Sequence, residues 1–298
     1  MAGAETYRPG RKPREYDQSL RGVRYRLREW GPEAGRPILL LHGWGDCGAT
    51  WQFLVDQLPA EWRLIAPDWR GFGDSAWNHG AYWFPDYLAD LDALVATLFP
   101  ERAVELIGHS MGGNVATLFA AVRPEKVLKL ASLEGFGLRD MPPEKAPGRY
   151  RQWLDEVHAA EPFQSYADSA ALARRLVRRH PHLPLSHAQF VAEAWTRRDE
   201  TGRLVIKTDP GHRWVNPVLY RRAEAEACWQ AIEAPVLFLM ARDSHFWSAE
   251  AARFIDPDYG ATHYRQLREQ WLEDCGHMFH WERPEAVAEV LAGFFGRD

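Results

Sequence analysis

Between Val104 and Gly113 the chain reads VELIGHSMGG, and a helical pattern follows from Asn114 to Val122. A short apolar run of this kind suits a buried strand. The strand breaks into Gly108-His109-Ser110-Met111-Gly112, a serine between two glycines at a strand-to-helix junction. Glycines allow a turn too sharp for larger side chains, and such a turn lifts the serine hydroxyl above the sheet edge. The helix that follows aims its N-terminus at the same point, which favours developing negative charge. The competing reading is an incidental Gly-rich turn. The strand before it and the helix after it argue against that.

The rest of the chain repeats this alternation. Pro37–Leu41, Arg63–Ala66, Val104–Ile107, Leu128–Leu133 and Pro235–Met240 read as strands buried on both faces. Phe84–Leu98 and Pro284–Phe295 carry apolar residues at helical spacing, and Gly22–Trp30 suits an antiparallel first strand. Such alternation predicts a mainly parallel sheet with helices on both sides. It lapses from residue 137 to 231, where a Pro-rich stretch leads into a helical, Arg-rich segment. The expected organisation is a core from 1–136 and 232–298, with a helical cap over 137–231.

Two further segments suit the chemistry of a serine nucleophile. The strand Pro37–Leu41 ends in His42-Gly43-Trp44-Gly45. Gly43 admits a bound carbonyl close to the backbone, so the Trp44 and Met111 amides are the candidate oxyanion donors. His42 reads as a scaffold histidine. A serine hydroxyl also needs a base, and His277 follows Gly276 near the C-terminus, with His280 as its rival.

Together His42-Gly43-Trp44, Asp68–Ser75 (DWRGFGDS), Gly108–Gly113 and Gly276-His277 with Arg283-Pro284-Glu285 resemble the α/β-hydrolase superfamily, from about Gly22 onward. The branch that looks most similar is the capped serine hydrolases and esterases, including the serine hydrolase-like proteins. The resemblance implies an eight-stranded, mainly parallel sheet with the cap inserted after strand 6. Haloalkane dehalogenases also look similar, but they carry an aspartate where this chain has Ser110. The family acid usually follows the seventh strand in a Gly-x-x-Asp turn. Here Ala241-Arg242-Asp243-Ser244 puts Ser244 in the acid slot and Asp243 one residue early. The other family location is the end of the sixth strand, where Glu134 stands. Both carboxylates remain candidates. Asp68 reads as a loop brace rather than a catalytic or metal-binding group.

Composition narrows the partners. The net charge of −5 leaves no footprint for nucleic acid or an anionic membrane, and the N-terminus lacks a signal-peptide core. Three widely spaced cysteines suggest neither a disulfide framework nor a zinc site. A cytoplasmic location is the expectation. The 14 tryptophans suggest a large apolar cavity as well as a core. Gly43, His109, Trp153 and Trp195 are candidate substrate contacts, with Phe163, Tyr166, Phe190 and Trp214 as further cap aromatics. Arg174, Arg175, Arg178 and Arg179 read first as a solvated helix face, the alternative being a hold on a substrate carboxylate of the kind that acidic C–C hydrolase substrates carry. The expected activity is hydrolysis of small-molecule carboxylic esters with no cofactor or metal. The alternatives are a C–C bond hydrolase, a cofactor-free haloperoxidase or perhydrolase, and a catalytically silent ligand-binding homologue.

Overall fold

The computed structural model describes residues 6–78, 80–159, 162–247 and 263–296. Residues 1–5 of the polar N-terminus and 248–262 of the expected C-terminal core segment lie outside the described residues. In chain order the strands are β1 (Arg14–Leu20), β2 (Val23–Trp30), β3 (Arg36–Leu41), β4 (Trp62–Pro67), β5 (Val104–His109), β6 (Val127–Leu133), β7 (Thr196–Arg198), β8 (Leu204–Ile206), β9 (Val236–Ala241) and β10 (Leu267–Leu272). The helices are α1 (Gln52–Val55), α2 (Phe84–Leu98), α3 (Met111–Val122), α4 (Ala146–His158), α5 (Ser169–Arg179), α6 (Leu185–Trp195), α7 (Arg222–Ala231), α8 (Phe279–Glu282) and α9 (Pro284–Phe295).

Eight strands form one sheet in the order β1-β2-β4-β3-β5-β6-β9-β10. β2 runs antiparallel to both neighbours, and from β4 to β10 every pairing is parallel. The central strands β3 and β5 are buried almost throughout, as their uninterrupted aliphatic runs require. One face packs against α2, α3 and α7 through Leu91, Phe119 and Trp229. The other packs against α1 and α9 through Leu54, Leu291 and Phe295.

The segment between β6 and β9 is not uniformly helical. It holds α4 to α7 together with the β7–β8 hairpin. Helices α5 and α6 share a small core of their own, with Leu172, Leu176 and Val191 around Phe53 and Trp281. Helix α7 packs instead on the sheet side, with Trp229 in the larger core. A cap extending to residue 231 therefore takes in a helix that packs with the sheet. No helix among the described residues is long and apolar enough to cross a membrane.

The inserted segment is clamped to the core by a short helical turn, Pro210–Arg213. The His212 ring stacks between Phe72 and Tyr82 at centroid distances of 3.8 and 3.6 Å. Nearby, Asp209 N–H donates to the Gly71 carbonyl at 2.8 Å, and Tyr82 O–H donates to the Asp209 carboxylate at 2.7 Å. Burial between the two rings pushes the His212 pKa down from 6.5 to about 3. Unfolding returns the imidazole to its ordinary pKa, so the unfolded chain binds the extra proton and acid favours it. This contribution to stability is intact above about pH 6.5 and is lost as the pH falls towards 3. We expect the melting temperature of His212→Phe to fall less steeply between pH 6.5 and 4 than that of the native protein. Parallel curves would refute this account of the clamp.

Candidate active site

The ends of β5 and β6 bring the central residues together. The last ladder pair between them is His109 with Leu133. One residue further on, Ser110 N–H donates to the Leu133 carbonyl at 2.8 Å. Ser110 turns into the left-handed region at φ 52°, and Glu134 does the same at φ 52°. Neither residue has the glycine freedom that makes such angles cheap, and strain of this kind persists only where the surroundings enforce it. The glycines around them permit the close packing. A Cβ on Gly108 would lie 2.5 Å from the Gly112 carbonyl oxygen, and one on Gly113 would lie 3.0 Å from the Gly135 Cα.

Glu134 is buried and saturated with donors. Oε1 accepts the Ala241 N–H at 3.0 Å, and Oε2 accepts the Ser244 hydroxyl at 2.8 Å. The same Oε2 lies 2.6 Å from Nδ1 of His277. A carboxylate only accepts, so the imidazole carries its hydrogen on Nδ1 and leaves the Nε2 lone pair available. Asp243, the other candidate acid, does not join this group. Its side chain is half-exposed and lies 3.2 Å from Nε2 of His182. Its amide N–H instead donates to the Cys275 carbonyl at 3.1 Å. The two candidates separate because β9 ends at Ala241, where the turn directs Ser244 inward and Asp243 outward.

The loop carrying His277 is held from two sides. His109 Nε2–H donates to the His277 carbonyl at 2.9 Å, and Gly276 N–H donates to Glu282 Oε2 at 2.6 Å. His109 is 1% exposed, and burial pushes its pKa well below 6.5, so the ring is neutral and acts as a tether. Its other nitrogen, Nδ1, lies 2.9 Å from where a Gly43 Cβ would be, so only glycine fits at that position. Neither Glu282 nor Ser244 was among the expected site residues. The displaced acid slot was the available signal for Ser244, and Glu282 had none beyond its closeness to His277 in sequence.

Gly43, Trp44, His109, Ser110, Trp195 and His277 all line one cavity of about 360 Å³. Phe163 and Tyr166 contribute to its wall, whereas Trp153, Phe190 and Trp214 do not. Trp153 stands on α4, which buries no residue fully, and Phe190 packs on Tyr7 and Phe53. Among the described residues, no acceptor takes the Trp44 amide or the Met111 amide, the first of α3. Asp46, two residues past Trp44, accepts the Trp195 indole N–H at 2.9 Å. It also accepts the Thr50 hydroxyl at 2.8 Å.

The other motif histidines and acids are buried in the scaffold. His42 donates from Nδ1 to the Gly43 carbonyl and accepts the Trp69 N–H at Nε2. His280 is fully buried, 3.8 Å from Asp46, and does not line the cavity. Asp68 is buried and accepts from Gly48 N–H, Asp74 N–H and Arg28 at 2.6 to 2.7 Å, which braces the loop. The crowding at the turn gives a direct test. Gly108→Ala should cost about 2–3 kcal/mol of stability through overpacking, read from the denaturant midpoint. An unchanged midpoint would contradict the packing described here.

Comparison with known proteins places this geometry. Residues 36–284 match the family described as alpha/beta hydrolase fold. The chain is similar to the serine hydrolase-like protein of Danio rerio, at 31% identity over 280 residues, covering 89% of this chain and 83% of that one. It is similar to a pimeloyl-[acyl-carrier protein] methyl ester esterase of Aeromonas salmonicida (strain A449) at 38% identity over 145 residues. That match covers 44% of this chain and 56% of the relative. Among solved structures, a hypothetical protein from Pseudomonas aeruginosa PAO1 superimposes with a TM-score of 0.83 at 26% identity, covering 95% and 99% of the two chains. With its nucleophile-type turn at the end of a central parallel strand and its match across most of the sequence, the chain belongs to the α/β-hydrolase family, among relatives of the serine hydrolase-like proteins.

Proposed function

We propose that this protein hydrolyses small-molecule carboxylic esters through an acyl-enzyme on Ser110, with His277 as base and Glu134 as the acid that orients it. The observation that carries this reading is the His277 ring, fixed by Glu134 at 2.6 Å in the cavity that Ser110 lines. Nε2 of His277 takes the Ser110 proton as Oγ attacks the ester carbonyl. Glu134 stabilises the imidazolium that results without taking its proton. The amides of Trp44 and Met111 receive the charge that develops on the carbonyl oxygen. His277 then passes its proton to the departing alcohol. It next deprotonates the water that attacks the acyl-enzyme, and it returns that proton to Ser110 Oγ as the acid leaves. Every step uses side chains, amides and water alone.

The segment following β6 is the proposed cap, with α5, α6 and the β7–β8 hairpin closing the cavity and α7 left to the core. The Aeromonas relative is named for cleaving a methyl ester, which agrees with an ester substrate. Cys47, Cys228 and Cys275 are all free thiols, which suits a reducing cytoplasmic location.

A fluorophosphonate probe and p-nitrophenyl acetate and butyrate test the proposal. Labelling and turnover should vanish in Ser110→Ala. In His277→Ala turnover should drop by roughly 10³-fold or more, and in Glu134→Gln by roughly 10²–10⁴-fold. Asp243→Asn should stay within about twofold of the native rate, as a surface substitution does. Ser244→Ala should lower kcat by roughly tenfold with little change in KM, because the Glu134 carboxylate loses a donor that holds it in place. Absence of labelling in the folded native protein would overturn the esterase reading. Full activity in Glu134→Gln with loss in Asp243→Asn would overturn the assignment of the acid.

A further inference from the structure

Helix α5 carries Arg174, Arg175, Arg178 and Arg179, and the pairs four residues apart place like charges side by side. That spacing destabilises a helix. The helix C-terminus favours Arg178 and Arg179, but not the pair a turn earlier. Near the sheet, by contrast, Arg28 contacts Glu15, Asp68 and Asp74, and Arg70 contacts Asp90. Among the described residues, no carboxylate pairs with any of the four arginines of α5.

Two of the four face the cavity. Arg175 and Arg179 are among the residues lining the space around Ser110, whereas Arg174 and Arg178 are not. Arg175 is held in place by donating to Gln164 Oε1 at 2.7 Å and to the Tyr166 hydroxyl at 3.2 Å. An adjoining surface groove of about 600 Å³ shares Tyr166, Arg175 and Arg179 with the cavity and adds Arg178. The one carboxylate among the described residues of the cavity wall, Asp46, takes the Trp195 indole and the Thr50 hydroxyl on Oδ1, and its Oδ2 lies 3.8 Å from His280 Nε2. The positive field reaches inward. Burial pushes the His180 pKa down to about 4, and the charge of Arg179 adds to the effect.

We infer that the substrate carries an anionic group, a carboxylate or a phosphate, which Arg175 and Arg179 hold at the outer end of the cavity while the ester reaches Ser110. This rests on the esterase reading and narrows its substrate class. Both guanidinium groups are exposed, so the attraction is screened and weakens as salt is added.

Two matched pairs of esters locate the anion. p-Nitrophenyl hydrogen glutarate against p-nitrophenyl hexanoate places it on the acyl side. 4-Phosphonooxyphenyl acetate against phenyl acetate places it on the alcohol side. The expected result is a preference of roughly tenfold in kcat/KM for the anionic member of one pair, expressed in KM and lost at high salt. Arg175→Gln and Arg179→Gln should each reduce that preference by roughly fivefold, and Arg174→Gln should leave it in place. Equal rates within both pairs, or a preference that survives the double Arg175→Gln, Arg179→Gln variant, would overturn the inference while ester hydrolysis itself stands. Should the native protein turn over none of the four esters, calorimetric binding to Ser110→Ala decides. Arginine-dependent binding of ethyl hydrogen glutarate above ethyl hexanoate supports the anion site, and equal or absent binding overturns it.

Discussion

The hydrogen bond from Ser110 N–H to the Leu133 carbonyl extends the β5–β6 ladder one residue beyond its last paired position. Because parallel strands end in step, the next residue on each chain emerges at the same height over the sheet. Ser110 and Glu134 occupy those two places, 24 residues apart in sequence and adjacent in the fold. The third partner arrives from the loop after β10 and is fixed by contacts with these same strand ends. The site is therefore built from the sheet outward.

That construction carries a desolvation problem. A buried carboxylate without partners is costly, and Glu134 is almost wholly buried. Three donors resolve it: the Ala241 amide, the Ser244 hydroxyl and the His277 ring. Two of them come from the end of β9, the strand next to β6. The same turn that supplies Ser244 sends Asp243 to the surface and to His182. One chain reversal thus settles which of two nearby carboxylates meets the histidine.

Much of this was legible in the sequence. The central strands announced themselves as aliphatic runs because both of their faces are covered, and α3 followed from the glycine turn. β1 (REYDQSL) and β10 (LREQWL) gave no such signal. They lie at the two edges of the sheet, where polar side chains are tolerated and an apolar run is not required. Ser110, His277 and Gly43 stood out because each sits in a local turn that the sequence spells out, and the fold brings all three to one cavity. Choosing between Glu134 and Asp243 required knowing which way a turn faces, which composition does not encode. The cap aromatics were the least legible, since α4 and α6 both carry tryptophan and only the packing of α6 brings Trp195 to the cavity.

The Trp195 indole N–H that reaches Asp46 joins the last residue of α6 to the loop bearing the Trp44 amide. Asp46 relies on this bond along with those from Cys47 N–H and Thr50. Lifting α6 away would strip a buried carboxylate of one of its donors and loosen the backbone beside Gly43. The covering layer and the loop beneath it are thus mechanically one piece. On the α5 flank, Arg175 and Arg179 line both the cavity and the adjoining surface groove, beside a roof tied down through Asp46.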